Sequence, residues 1–86
     1  MSIQNIEKKV LRNLLTVFKK NFNKKTFKNF SKLKIYDFND WDSLKNLRLL
    51  LEIEKKFKMK FSAEQLAQTT SVKLMMDLIK QKIKNK

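Results

Sequence analysis

These 86 residues predict an all-α fold: a small four-helix bundle with a long loop between helices 1 and 2 and a short third helix. Three observations lead there. Apolar residues recur at three- and four-residue steps in three separate stretches, the period of helices that bury one face. Capping residues stand where those stretches begin, as helix starts require. The length fits one small domain, 1–86, and 42% hydrophobic residues suffice for a packed interior.

The first helix covers about residues 3–20. Ile3, Ile6, Val10, Leu14 and Phe18 form its stripe, and Leu11 and Leu15 widen it. Between 21 and 42 the pattern breaks into Asn-Phe-Asn-Lys-Lys and then spaced aromatics: Phe27, Phe30, Tyr36, Phe38 and Trp41. A polar loop of this length would be suspect in so small a domain, whereas an aromatic-studded one can join the core. The reading is a long loop with one helical turn near 27–33, pinned by rings that need cover.

The second helix spans about 43–58, with Leu44, Leu47, Leu50, Leu51 and Phe57 among its apolar positions. Asp40 and Asp42 sit at its start, where carboxylates favour the positive end of the helix dipole. Ser62-Ala-Glu-Gln65 has capping-box spacing and opens the third helix, about 63–68. Thr70 or Ser71 can cap the fourth, about 71–84, whose Val72, Met75, Met76, Ile79 and Ile83 share a face. Its lysine-rich end, 80–86, suits a negative helix terminus. Core candidates are Leu49, Leu50, Ile53 and Phe57, opposite Phe61, Leu66, Val72, Met75 and Ile79.

Composition closes most enzyme readings. There is no cysteine for a thiolate or zinc ribbon and no histidine as general base or metal ligand. Glycine is absent too, which excludes phosphate-cradling loops and nucleophile elbows. No catalytic residue and no metal site are expected. The N-terminal apolar stretch is interrupted by Glu7, Lys8 and Lys9, and no apolar run approaches a bilayer's thickness. A soluble, cytoplasmic monomer is the expectation.

The net charge is +13, from 21 basic and 8 acidic residues. Such an excess suggests nucleic acid or an anionic membrane surface, or compositional drift toward lysine and asparagine. Only Arg12 and Arg48 are arginines, although phosphate readers favour arginine's planar fork. The excess also avoids one place: residues 35–54 hold five acids and two bases, where residues 1–34 hold ten bases and one acid.

That acidic stretch contains Asp-Phe-Asn-Asp-Trp-Asp-Ser-Leu, residues 37–44. On its own, Ser43 reads as a helix N-cap. It also exposes a hydroxyl beside unpaired backbone N–H groups and the positive dipole end, a setting that favours a phosphodiester. Downstream come a leucine-rich helix, Glu54-Lys-Lys-Phe57, Phe61-Ser-Ala-Glu64 and Thr69-Thr-Ser-Val72. Together with Asp42-Ser43-Leu44, this run resembles the acyl carrier proteins, without a gap from Asp42 to about Ile79. The first helix matches in length and amphipathicity alone.

The resemblance implies a carrier fold and a 4′-phosphopantetheine arm on Ser43, flanked by Asp42 and Leu44. It implies a non-enzyme that carries acyl or aminoacyl groups as thioesters, in fatty-acid and lipid metabolism or a specialised biosynthetic pathway. Partners would be a phosphopantetheinyl transferase, which Asp42 helps to engage, and acyl-loading and acyl-transferring enzymes. Those would dock on Leu44, Leu47 and Leu51, with Lys45, Arg48 and Glu54 around them. Typical carriers are acidic on this helix; here Lys45, Arg48, Lys55 and Lys56 invert the sign, which predicts partners with acidic rims. Trp41 reads either as loop cover or as a mark of dedicated carriers. Met75 and Met76 read as core filling or the lining of an acyl pocket.

The runner-up is a small basic helical nucleic-acid-binding protein that uses aromatics and lysines between 19 and 36. No base-reading Arg/Asn cluster supports it, and the Asp triad would repel phosphate. Peripheral contact with an anionic membrane is a third expectation, compatible with the first.

Overall fold

The structure, a computed structural model, describes residues 3–84, and side chains from Asn5 onward. The expected contribution of Ile3 to the first stripe, and the last two residues of the lysine-rich end, lie outside them. Four helices form in the predicted order: α1 Ile3–Phe22, α2 Ser43–Phe57, α3 Ala63–Gln68 and α4 Val72–Lys84. A single 3-10 turn, Phe30–Lys32, interrupts the loop after α1, inside the stretch where one helical turn is expected. The radius of gyration, 12.3 Å, is that of a packed chain of this length, about 12 Å.

Each of the three long helices buries the face that its period dictates. Val10, Leu14, Val17 and Phe18 from α1 meet Leu49, Leu50 and Ile53 from α2 and Val72, Met75 and Ile79 from α4. Helix α1 packs against both α2 and α4. Phe57 and Leu66, expected inside, are half-buried against the rim of this core. Phe57 is the last residue of α2 and Leu66 lies on the two-turn α3, so neither is enclosed on every side.

The loop rings behave as core, with one exception. Phe18 meets Trp41 edge-on at 5.2 Å and Phe30 at 5.0 Å, and Phe22 meets Phe38 at 5.4 Å. Such edge-to-face pairs add to plain area burial. Trp41 is fully enclosed. Tyr36 is not: it is 68% exposed.

A chain without glycine must make its sharp turns with side chains attached. Asn23, Asn29, Tyr36 and Lys58 all adopt positive φ, a region costing about 1–2 kcal/mol for most residues. Asn23 follows α1, and the Lys24 N–H closes back on the Lys19 carbonyl. Lys58 ends α2 with φ 54°, and the Met59 N–H bonds to the Glu54 carbonyl, the hydrogen-bond pattern of a left-handed helix stop.

Helix starts follow the expected chemistry. Ser62 and Gln65 form a complete capping box on α3. Ser71, rather than Thr70, caps α4 by accepting the Leu74 N–H at 3.1 Å. Between them the loop is sewn to the α3–α4 linker: the Ile35 N–H donates to the Thr70 carbonyl, and the Val72 N–H to the Leu33 carbonyl. This seam fixes the loop's end, and with it the start of α2.

Candidate functional site

The N-terminus of α2 is built by its neighbours in sequence. Asp42 is the N-cap, in extended conformation, and its Oδ1 accepts the Lys45 N–H at 2.9 Å. Ser43 is therefore the first helical residue, not the cap that its position alone suggests. Its hydroxyl carries no capping duty and is exposed. Among the described residues it shares a side-chain hydrogen bond with the Tyr36 hydroxyl, at 3.2 Å.

Tyr36 reaches that position because the backbone around it is tied down. Its N–H donates to the Trp41 carbonyl, the Asp37 N–H donates to the Lys34 carbonyl, and Asp37 Oδ2 accepts the Lys34 N–H. These bonds hold φ at 74° for an aromatic residue whose ring gains little burial in return. Strained residues with little packing gain concentrate at functional positions. Sequence reasoning grouped Tyr36 with the buried rings; no periodicity marks a left-handed residue, and this contact spans a turn that patterns do not show.

Beneath the site lies a polar anchor that the sequence did not reveal. The Trp41 indole N–H donates to Asn46 Oδ1 at 3.0 Å, and Asn46 Nδ2 donates to the Thr69 carbonyl at 3.0 Å. Asn46 is buried, so both ends of its amide are satisfied where water is excluded. The chain Trp41–Asn46–Thr69 joins the loop, α2 and the end of α3. Asn46 looks like a polar position on an apolar helix, which a hydrophobic pattern assigns to solvent.

A cleft of about 430 Å³ opens beside Ser43 between α2 and α3, lined by Ile35, Asn46, Leu47, Ala63, Leu66, Ala67 and Thr70. Its walls are mostly apolar and its floor is the Asn46 anchor. Met75 is buried in the core and Met76 is half-buried; neither lines this cleft. Along α2 beyond the serine, Leu44, Leu47 and Leu51 are 63%, 40% and 44% exposed, although Leu49, Leu50 and Ile53 of the same helix are enclosed.

The charged residues expected around these leucines divide. Lys45 turns away: its Nζ donates to the Asn21 carbonyl at 2.9 Å and stands 5.4 Å from the Phe22 ring centroid. It neutralises the negative end of α1 and belongs to the fold. Glu54 is engaged too, its Oε2 accepting the Phe61 N–H at 2.7 Å across the α2–α3 turn. Arg48 is exposed on the leucine side.

Among the described residues, no group of three or more His, Cys, Asp or Glu side chains is placed to hold a metal ion. Among them also, no helix is long and apolar enough to cross a membrane. No protein-family model, no curated protein and no solved structure matches the chain.

Proposed function

We propose that the chain is a carrier protein that holds acyl or aminoacyl groups as thioesters on a 4′-phosphopantetheine arm attached to Ser43. The observation that carries this reading is the exposed Ser43 hydroxyl, free of capping duty at the first position of α2, beside an apolar cleft that shares Leu47 with the neighbouring row of exposed leucines. The residues fit the group. A phosphodiester on Ser43 Oγ would lie at the positive end of a fifteen-residue helix, within reach of the Tyr36 hydroxyl. The arm supplies a terminal thiol for thioester exchange, which this cysteine-free chain lacks.

The chain's own part is to present and shelter. Asp42 holds the first turn, Ser43 bears the arm, and the cleft between α2 and α3 can cover an apolar cargo. Leu44, Leu47 and Leu51 offer a docking surface to a phosphopantetheinyl transferase and to acyl-loading and acyl-transferring enzymes. Fatty-acid metabolism or a specialised pathway would provide the cargo. No histidine or cysteine thiolate is present to activate Ser43 from within. The proposed role is carriage without catalysis.

The nucleic-acid reading draws less support. Stacking on single-stranded bases needs open rings, and Phe22, Phe27, Phe30, Phe38 and Trp41 are packed on one another. Incubation with coenzyme A, magnesium and broad-specificity transferases tests the carrier reading. Wild type is expected to gain the mass of one phosphopantetheine, and Ser43→Ala none. No gain with several unrelated transferases, or equal gain by the alanine variant, overturns it.

A further inference from the structure

The two sides of α2 differ in charge once partners are assigned. Toward α1, Lys45 is bonded to the Asn21 carbonyl, Glu52 lies 3.9 Å from Lys20, and Lys56 shares a groove with Thr16 and Val17, which Lys55 also borders from the helix crest. On the other side Leu44, Arg48, Leu51 and Lys55 follow one another at steps of four, three and four, a straight stripe on a helix, and Lys58, the left-handed residue that ends α2, lies just beyond it. Leu47 widens it at the serine end. At the far end Lys55, Lys58 and Lys60, with Leu51 and Met59, line an open depression of about 640 Å³. Glu54 is the one acid on its wall, and its carboxylate is bonded to the Phe61 N–H.

We propose that this stripe docks a protein partner with an apolar ridge for Leu44, Leu47 and Leu51. Beyond that ridge the partner carries carboxylates that enter the depression among Lys55, Lys58 and Lys60, with Arg48 pairing midway. The surface is thus polarised, apolar beside Ser43 and cationic at the distal end, and it fixes the partner's orientation as well as its sign. The inference rests on the carrier reading only for what faces Ser43. Charge complementarity selects the partner: four exposed cations face one tethered acid, so an acidic rim is attracted and a basic one repelled.

A protein fits this surface better than a lipid bilayer. Membrane-inserting faces carry large apolar and aromatic groups with cations on both flanks. Here the exposed apolar groups are leucines, and the one largely exposed ring among the described residues, Tyr36, lies outside α2. Three of the surface's four cations, Lys55, Lys58 and Lys60, gather at one end with Arg48 midway, rather than lying along two edges.

The test uses the full chain, isotope-labelled, and two synthetic helical peptides that share one leucine stripe. One peptide is flanked by glutamates and the other by lysines. Vesicles of phosphatidylcholine with phosphatidylglycerol form a third arm. The glutamate peptide is expected to shift the amides of residues 44–60. Its affinity is expected to fall with salt, and by about tenfold in Lys55→Glu/Lys60→Glu. Arg48→Gln, checked for unchanged helicity, is expected to lose less. Equal binding of the lysine peptide, shifts confined to α1, binding to vesicles alone, or no binding overturns the proposal. The peptide comparison on wild type needs no variant to fold. Ser43 plays no part in it, so this surface and phosphopantetheine transfer fail independently.

Discussion

Asn46 carries more of the fold than its chemistry announces. It is the one side chain that satisfies both the Trp41 indole N–H and the Thr69 carbonyl, and both groups lie where water does not reach. Replacement by leucine keeps the size roughly constant and strands two polar groups at about 1–3 kcal/mol each. Asn46→Leu is therefore expected to lower unfolding stability by roughly 2–4 kcal/mol, read from urea denaturation followed by circular dichroism. A loss under about 0.5 kcal/mol would mean that neither bond contributes. The residues that periodicity could reach, such as Leu49, Leu50, Ile53, Val72, Met75 and Ile79, are enclosed as the sequence pattern implies. Asn46 and Tyr36 were illegible for a shared reason: their roles depend on hydrogen bonds closed by chain folding rather than on hydrophobic alternation. Ser43 was legible only in part. Its position at a helix start follows from sequence, but which of two adjacent polar residues performs the capping is decided by backbone angle, and Asp42 holds the extended conformation.

The four helices differ in how firmly they are held. Helices α2 and α4 each place four residues in the buried class, whereas α3 has none. What fixes α3 is its capping box and the Thr69 bonds at its end. Six residues with so little buried surface cannot resist local opening as the long helices do. Amide hydrogen exchange is expected to be faster in residues 63–68 than in residues 46–57 by at least about tenfold. Equal protection would show that α3 opens only with the whole molecule. The capping box that places this helix was readable from Ser62 and Gln65 alone, because both partners lie within one turn. The weak mooring was not, since Leu66 has an apolar side chain and only the assembled bundle shows that it packs at the rim of the core rather than within it. Helix α3 forms one wall of the cleft beside Ser43, so one wall of that cleft is the helix of the bundle with no fully buried residue.

At the scale of the molecule, a net charge of +13 sets lysines against one another, and few contacts relieve it. Lys80 of α4 donates to Glu7 of α1 at 2.8 Å, closing the bundle at the end opposite the loop seam. The hydrogen bond to Glu7 raises the Lys80 pKa above its ordinary 10.5, against a smaller lowering by burial. The folded state therefore holds this proton more tightly than the unfolded chain. The resulting stabilisation is complete below about pH 10.5 and is lost as pH rises through the higher folded value. Other lysines titrate in the same range, so the difference between wild type and Lys80→Met isolates the pair. That difference in urea midpoint is expected to hold below about pH 10 and to shrink as pH rises through the raised Lys80 pKa. A difference that stays constant across the range would assign the effect to packing of the lysine stem. Sequence showed the charge but not this pairing, because the partners are separated by 73 positions. Trp41 gives the whole arrangement an optical handle. It is the only tryptophan of the chain and fully enclosed, and its indole N–H is bonded to the amide that floors the cleft beside Ser43. A guest pressing on Asn46 changes the polarity felt by the indole, so the emission colour of the unlabelled protein reports whether that cleft is filled.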